Sequence, residues 1–286
     1  MTTADRNHPT KYPGFNVILQ GPSGTGKTYA ISTLVNAGLE VFVIFLEPGI
    51  EALIAPWADK GLPVPPNLHW HIVPGKPHQF ASLKKMVEDS GRLTQKMLAN
   101  STDPSRGTNN PVIGIVELIN DFVDHRTGKS FGPVAEWDTS RVLVIDHLTA
   151  LSERFLDMMT GNKPVADKPD FGIAQTNFMA FQDYLINGTA CHFVMIAHID
   201  RFIDEVRGGM RLMTKSIGKA IAGDIPIPYS DVILTVREVD QYYWDTADSQ
   251  ADLKTRNLTV KTKLAPDFGP IYKKWLARKD AADLPQ

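Results

Sequence analysis

The sequence predicts an α/β fold, with a mostly parallel central sheet flanked by helices and antiparallel strands toward the C-terminus. Three observations carry this expectation. Short, continuous apolar runs recur along the chain, as strands buried on both faces require. Helical stretches separate those runs, the order that builds parallel crossovers. Gly-rich or Pro-bounded turns close several of the runs.

In chain order, residues 1–14 form a polar arm. Residues 15–20 (FNVILQ) make the first strand, which runs into a Gly-rich turn and a helix from about 27 to 37, stopped by Gly38. Residues 41–46 (VFVIFL) form the second strand, and 67–73 (NLHWHIV) the third, between Pro66 and Pro74. Helices are expected at 79–98 and 112–123, joined by the loop STDPSRGTNNP. The fourth strand, 142–145, ends in Asp146 and is followed by the helix-forming HLTALSERF. A helix near 171–186 leads to the fifth strand, 193–197. Later strands are expected at 233–236 and 258–263, with 242–245 joining a hairpin. The reading is one domain over 15–276, with 57–137 an elaborated insertion, 200–226 a mobile loop and 277–286 a C-terminal tail.

Composition excludes several classes. A compact chain of 286 residues buries roughly 75% of the surface its unfolded form exposes, so it needs no covalent or metal staple. Cys191 is the single cysteine, which rules out an internal disulfide and suits a reducing compartment. With 30 Lys+Arg against 32 Asp+Glu, the net charge of −2 gives no global pull toward nucleic acid or acidic lipid. Any polyanion contact must come from local clusters. At 43% hydrophobic and 22% charged residues, the whole is not a disordered chain. The N-terminus MTTADRNHPTKYPG has no apolar h-region. No apolar run approaches the ~20 residues of a spanning helix. A soluble, cytoplasmic protein without membrane contact is expected.

Residues 21–28 read GPSGTGKT, in which Gly21, Gly26, Lys27 and Thr28 match G-x-x-x-x-G-K-[ST]. The glycines let the backbone curl so that its N–H groups face a phosphate. The helix N-terminus that follows adds partial positive charge. Lys27 is placed to reach the β- and γ-phosphates and Thr28 to ligate Mg²⁺. The nucleotide-binding stretch is therefore Gly21, Pro22, Ser23, Gly24, Thr25, Gly26, Lys27, Thr28 and the adjoining Tyr29. A Gly-rich turn with a stray lysine is the bland alternative, but this motif follows an apolar strand and opens a helix, as the mechanism requires.

Phosphoryl transfer needs a carboxylate in the metal shell. Asp146 ends the strand RVLVID at the edge where α/β sheets bind ligands, and would hold Mg²⁺ through water. It could equally cap the helix that follows. Glu47 lies just past the second strand and is the candidate to orient water, with Glu51 four residues on as the alternative. His198 ends HFVMIA and could sense the γ-phosphate, although a lone histidine is more often structural. His69 and His71 share one strand face, but nothing completes a zinc set.

These pieces together resemble RecA-type ATPases. The matching stretches are GPSGTGKT, FLEPGIEAL, VLVIDHLTALS, MIAHID and VKTKLAPDF at 260–268. The resemblance spans about 15–274, with 57–137 poorly matched, and is nearest to the minimal RecA-like proteins of bacteriophages. It implies a RecA-like P-loop NTPase core that hydrolyses ATP with Mg²⁺ at subunit interfaces of a homo-oligomer, filament or ring. It further implies single-strand annealing or recombination, with single-stranded DNA and a single-strand-binding protein as partners. Glu47 then takes the catalytic glutamate position and His198 that of the γ-phosphate sensor. By the same resemblance, Lys261 and Lys263 reach the neighbouring subunit's γ-phosphate. Residue alternation on a strand would point both ammonium groups one way, and a solvated edge-strand pair is the alternative.

The resemblance places DNA on two loops, 158–170 and 199–226. Positive charge concentrates at 207–219, where Arg207, Arg211, Lys215 and Lys219 meet no acid. Met210, Leu212 and Met213 could wedge between bases. The segment lacks aromatics, which argues against a stacking platform. A flexible surface loop or an oligomer contact is the alternative reading. A nucleotide-gated assembly or regulatory module, or a ring helicase motor, competes with the recombination function.

Overall fold

The computed structural model describes residues 12–73, 88, 112–161, 166–203 and 208–283. The helix expected at 79–98 falls, apart from residue 88, outside them, and so do the loop at 101–111 and Arg207.

Seven strands form the central sheet. They are β1 (Asn16–Gln20), β2 (Glu40–Phe45), β3 (Leu68–Ile72), β4 (Arg141–Asp146), β5 (His192–Ala197), β8 (Asp231–Glu238) and β9 (Gln241–Asp245). Their order is β3-β2-β4-β5-β1-β8-β9. All neighbours are parallel except β8 and β9, which form an antiparallel hairpin. Between β5 and β8 the chain makes a separate two-stranded antiparallel ribbon, β6 (Ile199–Ile203) and β7 (Met210–Thr214).

The apolar runs are continuous because the sheet is covered twice. Successive residues of each strand go to opposite sides. Ile18, Phe42, Ile44, Leu143, Ile145, Phe193 and Met195 face one cluster. Val17, Leu19, Val41, Val43, Val144, Val194 and Ile196 face the other. The first layer holds α4 (Ile113–Asn120), α5 (Leu148–Thr160) and α6 (Lys168–Asn187). The second holds α2 (Ser32–Asn36), α3 (Ile50–Ala58) and α7 (Gly269–Asp283). The helix after the Gly-rich turn is broken at Ile31, so a short α1 (Lys27–Ala30) precedes α2.

Three expectations are corrected. No strand forms at 258–263; just past it an isolated bridge joins Leu264 to Trp244. Lys263 takes a positive φ of 56°, so strand alternation cannot aim it with Lys261. The segment expected as a loop at 200–226 carries most of the paired strands β6 and β7. Residues 12–13 of the expected arm pack against α7. The Tyr12 ring lies tilted 6.0 Å from that of Trp275, whose indole N–H donates to the Pro13 carbonyl at 2.8 Å. The helix α7 continues to Asp283, past residue 276. Among the described residues, no helix is long and apolar enough to cross a membrane.

Candidate nucleotide site

Parallel pairing brings four strand ends to one edge of the sheet. Gln20 lies opposite Ala197, Asp146 opposite Ile196, and Phe45 opposite Asp146. The residues just beyond these ends, Gly21, His198, His147, Leu46 and Glu47, therefore form a row. The sheet edge, rather than any local sequence feature, assembles the site.

The Gly-rich turn fits an anion. Among the described residues, the backbone N–H groups of Ser23, Gly24, Thr25 and Gly26 donate to no protein acceptor. Four unsatisfied donors in a turn leading into a helix are the requirement for a phosphate cradle. Gly21 is obligatory, since a Cβ there would fall 2.1 Å from the Thr235 hydroxyl. Gly26 caps α1 with φ of 78°, a conformation that disfavours side chains. The turn is braced from β8, where Thr25 and Thr235 hydroxyls meet at 2.6 Å.

Lys27 is buried, and its Nζ donates to the carbonyls of Gly21 at 2.9 Å and Pro22 at 2.6 Å. Burial pushes its ammonium down to about 8, against the pull of Asp146. Thr28 Oγ1 donates to Asp146 Oδ2 at 2.7 Å, so the two oxygen donors of a hard-cation site already converge. Burial pushes the Asp146 carboxyl up to about 6, opposed by the Thr28 hydrogen bond and Lys27. Mg²⁺ suits this oxygen pair, whereas no His, Cys or carboxylate cluster of three fit to hold a metal exists among the described residues.

Because Asp146 titrates higher in the folded chain than the ordinary Asp value of about 3.9, its ionisation costs stability. The contribution is fully present below about pH 4 and is lost as pH rises through 6. Asp146→Asn escapes that loss. The melting temperature of the variant, relative to the parent, should climb between about pH 4 and pH 7. Thermal denaturation across that range checks the slope, and a gap that narrows with pH would contradict it.

The Glu47 side chain is 54% exposed and follows Leu46, whose N–H donates to the Asp146 carbonyl at 2.7 Å. Arg154, buried on α5, holds the same residue from the other side. Its guanidinium donates to the carbonyls of Leu46 at 3.3 Å and Val73 at 3.2 Å. Glu47 is thus carried by a pinned backbone. Glu51 lies in the first turn of α3, where a carboxylate suits the helix N-terminus.

His147 was not singled out from the sequence, yet it sits in the middle of the row. Its Nδ1 accepts from the Ala150 N–H at 3.3 Å, which caps α5 and places the ring proton on Nε2. Burial, His198 and Lys27 hold it neutral, pushed down to about 3. The 3.9 Å approach of Glu47 to Nδ1 is therefore a contact between two acceptors, not an ion pair. Its ring meets His198 edge to face at 4.1 Å. His198 Nδ1 lies 3.3 Å from the Gly21 carbonyl, which can only accept, so Nδ1 carries the proton. Burial, and Lys27 next, hold His198 below its usual range. To donate to a phosphate oxygen, His198 has to release Gly21 or take up a second proton. The signal that could have found His147 is its place directly after Asp146, at a strand end.

Of the remaining predicted residues that are described, Lys215 adjoins this row and the others lie apart from it. Lys263 is exposed and pairs with Glu238 at 2.6 Å, which holds its ammonium above the usual range. Lys261 is exposed, and its backbone N–H donates to Thr246 Oγ1 at 2.9 Å. On the ribbon, Arg211 pairs with Asp252, and Lys219 lies 4.7 Å from the Phe202 ring centroid. Lys215 donates its backbone N–H to the His198 carbonyl at 2.8 Å. Strand pairing also sets Phe202 opposite Arg211, so the basic face does carry an aromatic that the 207–219 segment alone lacks.

A phosphate-cradling turn after the first strand, a Thr–Asp oxygen pair and a row of polar strand ends define a P-loop NTPase. The profile described as AAA domain matches residues 14–263, and the chain belongs to that family of P-loop ATPases. The match takes in the Gly-rich turn, Asp146, the ribbon and both Lys261 and Lys263. Comparison with curated proteins gave no match.

Proposed function

We propose that the protein is a single-stranded-DNA-dependent ATPase of the recombination and annealing type, assembled as a homo-oligomer with ATP at subunit interfaces. One observation carries the coupling of ATP to an outside ligand. The strand β5, wedged between the strands of the phosphate turn and of Asp146, passes through His198 directly into the β6–β7 ribbon. The ribbon is bolted to the site. Thr214 donates to the buried Gln20 side chain at 2.7 Å, and Thr149 to the Lys215 carbonyl at 3.1 Å. A change at the phosphate turn is thereby offered a direct route to Arg201, Arg211, Lys215 and Lys219.

In the mechanism, Lys27 leaves the Gly21 and Pro22 carbonyls to hold β- and γ-phosphate oxygens while the turn's free amides cradle the rest. Thr28 and Asp146 would hold Mg²⁺, whose charge would be available to the transferred phosphoryl group. Glu47 orients the attacking water. His198 exchanges its bond to Gly21 for one to the γ-phosphate and passes the difference to the ribbon. Lys261 and Lys263 complete the site of a neighbouring copy. Lys263 would exchange Glu238 for the neighbour's phosphate.

Two results are expected. Single-stranded DNA should stimulate ATP turnover, its binding should weaken steeply with salt, and Arg207→Glu with Arg211→Glu should abolish that binding. Fluorescence anisotropy with a labelled oligonucleotide measures this, and unchanged affinity removes the ribbon from the proposal. No stimulation by DNA would instead favour a nucleotide-gated assembly module. Second, Lys261→Ala with Lys263→Ala should cut turnover by tenfold or more, the order of a lost transition-state charge contact, while the affinity for nucleotide stays within about twofold. Equal loss of both would contradict action in trans.

A further inference from the structure

The contacts of the phosphate turn account for a triphosphate and leave the base of the nucleotide without a partner. One exposed aromatic is built against that turn. Tyr242, on β9, has its ring beside Gly26, such that a Cβ on Gly26 would lie 3.1 Å from Tyr242 Cδ1. Tyr242 is still 41% exposed, a large aromatic left partly in solvent. It is held in place by more than its own strand. Tyr242 lies opposite Arg237 in the hairpin register, and the Arg237 guanidinium stands 5.6 Å from the ring centroid. Arg237 is itself tied down, with Nε donating to the Val239 carbonyl at 3.0 Å.

A second exposed aromatic follows the turn. Tyr29, in α1, is three residues past Gly26 and 50% exposed. The absent Cβ of Gly26 is what allows the ring of Tyr242 to come this close to the phosphate turn.

We infer that Tyr242 is the platform on which the nucleobase stacks, with Arg237 steadying the ring and Tyr29 bordering the slot. The ligand class is a nucleoside di- or triphosphate, with purines favoured over pyrimidines because they cover more of the ring. The inference rests on the nucleotide site proposed above and adds the base to it. It also gives the β8–β9 hairpin a role separate from the sheet, since its register sets the platform height.

The test separates the base from the phosphates. Binding of ATP, ADP, CTP and inorganic tripolyphosphate is measured with Mg²⁺ on the full chain, by displacement of a fluorescent ADP analogue. Tyr242→Leu should weaken ATP and ADP by about tenfold, the scale of one lost base stack, flatten the ATP-over-CTP preference, and leave tripolyphosphate unchanged. Tyr242→Phe, which keeps the ring, should retain parental affinities. Equal weakening of ATP and tripolyphosphate would show that Tyr242 only shapes the turn, and unchanged ATP affinity would show that the base lies elsewhere. Either result overturns the inference. A parent chain that binds neither ATP nor tripolyphosphate would instead defeat the nucleotide site itself.

Discussion

Replacing Lys27 by Ala should lower the affinity for Mg-ATP by about a hundredfold or more and end measurable turnover. The magnitude follows from two charge-assisted hydrogen bonds to phosphate at roughly 1.5–3 kcal/mol each. The fold should tolerate the loss. The Pro22 carbonyl keeps the Thr25 hydroxyl at 2.8 Å, and the Gly21 carbonyl keeps His198 at 3.3 Å, so neither is orphaned. Burial also holds the Lys27 ammonium down at about 8. A cationic group lowered on folding contributes stability only when neutral, which is lost as pH falls from its unfolded value through 8. At neutral pH the charge is a cost, and its removal should not lower the melting temperature. The checking measurement is a thermal shift with and without Mg-ATP. The parent should be stabilised by nucleotide and Lys27→Ala should not, from a similar starting temperature. A variant that unfolds outright would show that the lysine is structural.

Glu47→Gln should separate binding from hydrolysis. Loss of a group that orients or deprotonates water costs about a hundredfold to ten-thousandfold in rate, while the turn, Thr28 and Asp146 are untouched. Turnover should therefore collapse with nucleotide affinity within about twofold of the parent. The exposed position of Glu47 makes a folding defect an unsuitable explanation. Glu51→Gln, a change in the first turn of α3, is the control and should leave turnover intact. Phosphate release under saturating ATP measures both. Parental turnover in Glu47→Gln would assign the role elsewhere, and loss in Glu51→Gln instead would shift it there.

Much of the sheet was legible because burial on both faces leaves an unmistakable trace. VILQ, VFVIF, VLVID and HFVMIA have no polar face to hide, and each became a parallel strand with a polar residue at or just past its C-terminal edge: Gln20, Glu47, Asp146 and His198. Strand order was not legible, because nothing within β5 says that it lies between β1 and β4. The phosphate turn was readable for the same local reason that it works: its glycines and lysine act through consecutive backbone groups. The lysine stretch at 260–268 misled because a strand needs a partner along its length, and the local sequence does not show that one is missing. There, Lys263 adopts a positive φ, and Leu264 meets β9 only through an isolated bridge to Trp244. His147, Arg154 and Tyr242 were missed because their partners are distant in sequence. Arg154 meets Leu46 and Val73, and Tyr242 meets Gly26, only once the sheet has formed. The strands within the expected mobile loop 200–226 were not legible because they are short and pair only with each other, outside the central sheet.

The most direct test of the account is isothermal titration of the purified chain with ATP, with and without Mg²⁺. Saturable uptake that is strengthened by Mg²⁺ and abolished in Lys27→Ala is the predicted result. Absence of uptake of any nucleoside triphosphate in the presence of Mg²⁺, by a folded chain, would contradict it.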